Sequence, residues 1–182
     1  MSYTHDYLYQ NDAFLTKTNP KGLPRYAGGE DPSQTMSYKY LQSFRNAIDI
    51  GSKFGIWTRK MGQTFNHVYC FEPKNKWNLI LPKNVRMNNV TQFQFGLGAQ
   101  EEQAEMLGSR IITGPQTSSR IKEQIQVRTL DSFELSDIDF IKIDTDGYEL
   151  NVLQGGKETL LKWKPLICIE IIYEEPFNGK DI

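Results

Sequence analysis

The sequence predicts an α/β fold: a doubly wound, mostly parallel sheet with helices on both faces. Three observations carry this. Short apolar runs recur along the chain, the segments between them repeat apolar residues at helical spacing, and several runs end abruptly in glycine or an acid. Apolar runs separated by amphipathic segments are the pattern of βαβ units, whose strands are buried on both faces.

In chain order, residues 47–50 form the first predicted strand and end in glycine. Trp57, Met61 and Phe65 then recur at helical spacing. Residues 67–71 are a second strand ending in Glu72-Pro73, and residues 91–95 a third, running into Gly96-Leu97-Gly98. Residues 99–126 break the rhythm. They are polar and contain Gly108, Gly114-Pro115 and Ser118-Ser119. A structureless loop of that length is improbable in a compact domain, so a small hairpin is expected there, leading into residues 125–130. Residues 138–143 are a fourth main strand, ending at Asp144. Leu150, Leu153 and, after a Gly-Gly break, Leu160-Leu161 again have helical spacing, and residues 166–171 are the last strand. Upstream, residues 1–36 are polar and turn-rich and read as an irregular arm. A short helix is expected over 37–44, with Tyr38, Leu41 and Phe44 on one face. The domain is therefore placed at 37–182, with a polar insertion around 99–126.

Composition excludes several classes. Lys plus Arg is 21 and Asp plus Glu 22 in 182 residues, a balance that gives no support to a nucleic-acid binder working through a basic field. Hydrophobic content of 38% with 12% aromatics is too rich for disorder. The longest apolar stretch, 166–172, is interrupted by Glu170 and far too short to span a bilayer. The first residues have neither the basic nor the apolar region of a secretion signal. Cys70 and Cys168 cannot make a disulfide framework. A soluble cytoplasmic protein without membrane partners is the expectation.

Four places carry chemistry. The first is Asp49-Ile50-Gly51-Ser52-Lys53-Phe54-Gly55, between a strand and a helix. Its two glycines allow close backbone approach, and a helix start offers N–H groups to an anion. It lacks the three glycines of the dinucleotide fingerprint. An acid at a strand end beside such a turn suits a zwitterion, while a tight turn with a capping Asp is the plainer reading. The second is Glu72, about 20 residues after Asp49, where an acid in a doubly wound sheet accepts ribose hydroxyls. Pro73 offers a flat surface for a base. The third is Asp144-Thr145-Asp146-Gly147-Tyr148-Glu149, just past a buried strand. Acids there could hold an amino group, a substrate hydroxyl or a divalent metal. Asp146 as helix cap with Glu149 as its capping-box partner is the structural alternative. The fourth is Glu170, a carboxylate inside an apolar run, costly unless it is paired or reaches the strand's open end.

Taken in order, Asp49-x-Gly51-x-x-x-Gly55, Phe71-Glu72-Pro73, Gly96-Leu97-Gly98, Thr129-Leu130-Asp131 and the stretch from Asp139 to Gly155 containing Lys142-Ile143-Asp144-x-Asp146-Gly147-x-Glu149 resemble the FkbM-type methyltransferases, over roughly residues 45–172. The resemblance implies a class I, Rossmann-like methyltransferase fold using S-adenosylmethionine, mostly on hydroxyl oxygens of sugars, glycans or other small metabolites. It implies that Gly51, Ser52 and Gly55 line the methionine end and that Asp49 supports that loop or the amino group. It further implies that Glu72 holds the ribose, that Pro73, Gly96 and Leu97 border the adenine, and that Asp144 faces the amino group, a metal or the acceptor. The family commonly carries Glu where this chain has Asp146. Class I sheets usually end in an antiparallel hairpin, for which too few residues follow Ile172. Either the sheet edge is bare, another segment or a second subunit covers it in a homo-oligomer, or the chain is a fragment.

Methyl transfer to a hydroxyl needs alignment and help in removing a proton. His67 begins its strand, away from the ligand side, and His5 lies in the arm. Asp144, Asp146 and Glu170 are the expected catalytic residues, alone or through a divalent ion held by Asp144 and Asp146. Asp144-x-Asp146 also admits two other enzymes: a phosphatase of the haloacid-dehalogenase type, for which too little chain follows, and a metal-dependent glycosyltransferase, which leaves the Asp49 turn unexplained. A non-catalytic nucleoside-binding subunit is a third alternative. With strand order 3-2-1-4-5, Cys70 and Cys168 lie three strand spacings apart, roughly 14 Å, so two free, buried thiols are expected.

Overall fold

Branched and aromatic residues in runs too short for helices become strands, and each hands the chain to a helix or a turn at its glycine or acid. The computed structural model of the protein describes residues 37–112 and 122–170; the arm with His5, residues 113–121 and residues 171–182 lie outside the described residues. In chain order the elements are β1 (Asn46–Ile50), α1 (Ile56–Gly62), β2 (His67–Phe71), α2 (Asn75–Asn84), β3 (Val90–Phe93), β4 (Gly96–Leu97), β5 (Glu102–Leu107), β6 (Arg110–Ile112), β7 (Lys122–Arg128), a 3-10 turn at Asp131–Phe133, β8 (Ile138–Ile143), α3 (Glu149–Gly155), α4 (Lys157–Trp163) and β9 (Leu166–Ile169).

Five strands form one parallel sheet in the order β3-β2-β1-β8-β9. The expected doubly wound α/β fold is thus present, and among the described residues its main sheet is wholly parallel. Strand alternation sorts the core into two layers. On one face Ile48, Ile50, Phe71, Ile141 and Ile143 pack with Val152 of α3 and Leu160 of α4. On the other, Ala47, Val68 and Phe140 meet Met61 and Trp57 of α1, and Cys70 meets Leu81 of α2. Because all five strands run the same way, the turns after Ile50, Phe71, Phe93, Ile143 and Ile169 share one rim. Strand order reverses between β1 and β8, and open α/β sheets bind ligands at that rim beside such a reversal.

Several expectations are corrected. The third strand stops at Phe93, because Gly96 and Leu97 leave to pair with β7. The expected hairpin exists as β5 and β6 around Gly108, but β7 also pairs with β5, and a second four-stranded sheet results, in the order β4-β7-β5-β6. Helical geometry at Ser37–Tyr38 gives way to a turn at Lys39–Tyr40, although Tyr38 and Leu41 still pack onto the Met61–Phe140 cluster. Leu150 and Leu161 are exposed. The two short helices turn Val152, Gly155 and Thr159 inward instead, with a Cβ at Gly155 falling only 1.9 Å from the Gly98 carbonyl oxygen. Both thiols are free, but only Cys70 is buried; Cys168 is half-buried on β9, the last described strand. No helix among the described residues is long and apolar enough to cross a membrane.

Candidate active site

The turn after β1 is built on glycine. Gly51 has φ +76°, and a Cβ there would lie 1.8 Å from the Asp144 carbonyl oxygen, so the β1 and β8 turns touch backbone to backbone. Gly51 and Ser52 both donate their N–H groups to the Phe71 carbonyl, at 3.0 and 3.1 Å. Gly55 donates to the Ser52 carbonyl at 2.8 Å. Lys53 donates its N–H to one oxygen of Glu72 at 2.9 Å, and Lys74 donates to the other at 2.9 Å. The turns at Asp49–Gly55 and at Glu72 therefore converge on one rim. The amides of Gly51, Ser52, Lys53 and Gly55 are all engaged within the protein, so the expected grip on an anion does not come from these four. Ser52 is buried, with its hydroxyl on the Phe71 carbonyl.

Glu72 is 5% exposed. Burial pushes its carboxyl up to about 7, against the pull of the Lys74 and Lys53 amides. A carboxylate oxygen has room for two donors, so each keeps an acceptor site beyond its backbone partner. Pro73 beside it is half-buried. Gly96 and Leu97 are buried as β4 of the second sheet, paired with β7. The accessible residues at the end of β3 are Gln94 and Phe95, a pair the sequence reading missed. The second sheet is tied down at this rim: the Lys74 ammonium donates to the Gly108 carbonyl, Asn75 N–H to Glu123 at 3.0 Å and Tyr148 O–H to Glu102 at 3.2 Å.

Asp49 is fully buried. One oxygen accepts the Thr58 hydroxyl at 2.5 Å, and the other, Oδ1, has no hydrogen-bond partner. Directly opposite in the β1–β8 register stands Lys142, 6% exposed inside an otherwise apolar end of β8. Its ammonium lies 3.0 Å from Asp144 Oδ2, 3.1 Å from the Gly51 carbonyl oxygen and 3.5 Å from Asp49 Oδ1. Burial alone would lower the lysine's pKa, but Asp49 and Asp144 hold it above its ordinary value. Lys142 was given no role from sequence. The signal that finds it is a lysine in a six-residue strand buried at every position.

Asp144, Asp146 and Glu170 come together: each offers a carboxylate oxygen, and these lie within 4.8 Å of one another. Glu170 is exposed, just past β9, where its N–H reaches the Ile143 carbonyl. A hydrogen bond to Asp144, with that residue's charge, pushes the Glu170 carboxyl up to about 7. Burial would raise Asp144, but Lys142 and the Glu170 bond hold it below its ordinary value. Asp146 adopts φ +56° and is not the helix cap; Tyr148 precedes α3, with no side-chain cap. Glu149 does the organising. One of its oxygens accepts the Thr145 N–H, the Thr145 hydroxyl and the Gly147 N–H, each at 3.0 Å.

The cluster already has a cation of its own, the Lys142 ammonium 3.0 Å from one Asp144 oxygen, and a divalent ion held by these three carboxylates would compete with it. His67 sits on the opposite rim, 2.8 Å from the Thr91 hydroxyl.

The family described as Methyltransferase FkbM domain matches residues 49–182. A solved methyltransferase FkbM from Methylobacillus flagellatus KT aligns with TM-score 0.56 and 23% identity, over 77% of this chain and 37% of that one. The chain thus spans well under half the length of that structure. A precorrin 8w decarboxylase from Methanobacterium thermoautotrophicum aligns with TM-score 0.53 and 16% identity, over 86% of this chain and 69% of that one. No curated protein shows a significant match.

Proposed function

Since the chain belongs to the FkbM methyltransferase domain family, we propose that it transfers a methyl group from S-adenosylmethionine to a hydroxyl oxygen of a sugar, a glycan or another small hydroxylated metabolite. The observation that supports this most strongly is the Lys53 N–H bond to Glu72, which brings the β1 turn and the β2 acid to one rim beside the strand reversal. Glu72 would accept the ribose hydroxyls, Pro73, Gln94 and Phe95 would border the adenine, and the Gly51 turn would face the methionine end. Asp49 is out of a ligand's reach and would serve by holding the turn through Thr58. The bound cofactor would supply a methyl group already activated by the sulfonium charge.

Removal of the acceptor's proton falls to the carboxyl pair. Glu170 is exposed at the rim and titrates near neutrality, which suits a general base. The proton taken from the acceptor would rest on Glu170, and Asp144, kept ionised by Lys142, would stabilise it there by accepting the Glu170 hydrogen bond. No step requires a metal. The test is transfer of labelled methyl from S-adenosylmethionine to a panel of glycans and small hydroxylated acceptors, with and without chelator. Chelator-insensitive labelling of a hydroxyl is expected. Absence of cofactor binding, or labelling confined to nitrogen or carbon, would overturn the reading.

A further inference from the structure

A lysine near the end of a buried strand needs a reason, because an apolar residue would pack there without the cost of burying a charge. Lys142 contacts three oxygens from separate parts of the rim: the Gly51 carbonyl in the first turn, Asp49 on β1 and Asp144 after β8. Asp49 Oδ1, otherwise without a hydrogen-bond partner, faces that ammonium at 3.5 Å. Trp57 of α1 closes the same space, its ring centroid 6.0 Å from the ammonium nitrogen. Two carboxylates thus share one cation.

We infer that Lys142 is the built-in counter-cation of the site, a positioning residue that locks the Gly51 turn to the Asp144 turn and occupies the electrostatic role a divalent ion would otherwise play among these carboxylates. The register pair Asp49–Lys142 fixes the ammonium from below, and the Gly51 carbonyl and Asp144 receive it from above. Gly51 and Asp144 are already in backbone contact, so losing the ammonium would free two like charges to push the turns apart. With Lys142 in place, Asp49 and Asp144 keep a net negative charge beside the carboxylates of Asp146 and Glu170, and a net negative site complements the net positive charge of a sulfonium amino acid. That last point rests on the function proposed above; the tie between the two turns does not.

The test uses Lys142→Met, and beside it the double variant Asp49→Asn/Lys142→Met, which removes both buried charges and keeps the experiment decisive if the single variant does not fold. Circular dichroism establishes folding. S-adenosylmethionine affinity is measured by calorimetry, and Mn2+ binding by loss of the free-ion resonance signal. The wild-type protein is expected to bind the cofactor equally with and without chelator and to leave Mn2+ free at micromolar concentrations. The folded variant is expected to lose roughly tenfold or more in cofactor affinity and to gain Mn2+ binding at the Asp144–Glu170 cluster, a change that a purely structural lysine would not produce. Wild-type protein that binds Mn2+ as tightly as the variant would overturn the inference, and so would a folded variant with wild-type cofactor affinity. If wild-type protein bound no S-adenosylmethionine, the methyl-transfer reading would fall, while the Mn2+ comparison would still decide the role of Lys142.

Discussion

One proton on Glu72 would link stability to the proposed cofactor binding. The carboxyl's ordinary value is 4.5 and burial raises it to about 7, so the folded state holds the proton more tightly than the unfolded chain. Its contribution to stability therefore falls as pH rises from 4.5 through about 7 and stays unfavourable above. Ribose hydroxyls donate best to the ionised form, so cofactor affinity is expected to rise over the same window. Glu72→Gln should flatten both dependences, gain stability at alkaline pH and lose about tenfold or more in affinity, as expected for hydrogen bonds to a charged group. Urea titrations and calorimetry over a pH series separate the two effects. Gly51 makes a purely steric case. An alanine there meets both the φ of +76° and the Asp144 carbonyl, so Gly51→Ala should cost at least about 1–3 kcal/mol in urea denaturation and loosen both turns.

At the scale of elements, one acid that reads as part of a motif proves to be a helix cap. Asp131 accepts the N–H groups of Glu158 and Thr159 and the Thr159 hydroxyl, at 2.7 to 2.9 Å, closing the start of α4. Asp131→Ala is expected to cost about 1–2 kcal/mol by chemical denaturation and to leave cofactor affinity unchanged. Glu149→Ala removes three hydrogen bonds from the turn carrying Asp144 and Asp146, and steady-state assays should show a fall in turnover larger than the loss of cofactor affinity. These elements also mark what the sequence could convey. β2 and β8 coincide with their largely apolar runs because central parallel strands bury residues on both faces. β3 ends early and the second sheet stayed half-seen, because pairing between β4, β5 and β7 depends on contacts distant in the chain, which local patterning does not encode. The helical spacing around Leu150 and Leu161 does mark α3 and α4, with Leu153 and Leu160 on the core, but not which face turns inward, because that depends on Gly155 lying against Gly98 and Gly156 against Leu130.

For the whole molecule, the parallel sheet separates two rims. At the entrance rim of the strands, Arg45 grips Asp139 through its Nε and one terminal nitrogen, at 3.0 and 2.6 Å, with Ser43 on the same carboxylate at 2.8 Å. Burial would raise Asp139, but Arg45 holds it below its ordinary value, so this pair contributes stability that is lost as pH falls. Arg45→Ala should lower the melting temperature and leave cofactor affinity intact, because Arg45 lies on the rim away from the candidate site. Gly51, Glu72, Asp144 and Glu170 were legible in sequence because each directly follows a strand, and parallel strands place their ends together. Lys142 was not, because its meaning depends on which strand lies beside β8. In the proposed complex Glu72 holds the ribose end of the cofactor, and the Gly51 turn borders its methionine end. Calorimetric titration of S-adenosylmethionine into the wild-type protein and into Glu72→Gln tests it most directly. One-to-one binding by the wild type, weakened about tenfold or more in the variant, is the expected result; no heat of binding, or equal affinity in the two proteins, would contradict it.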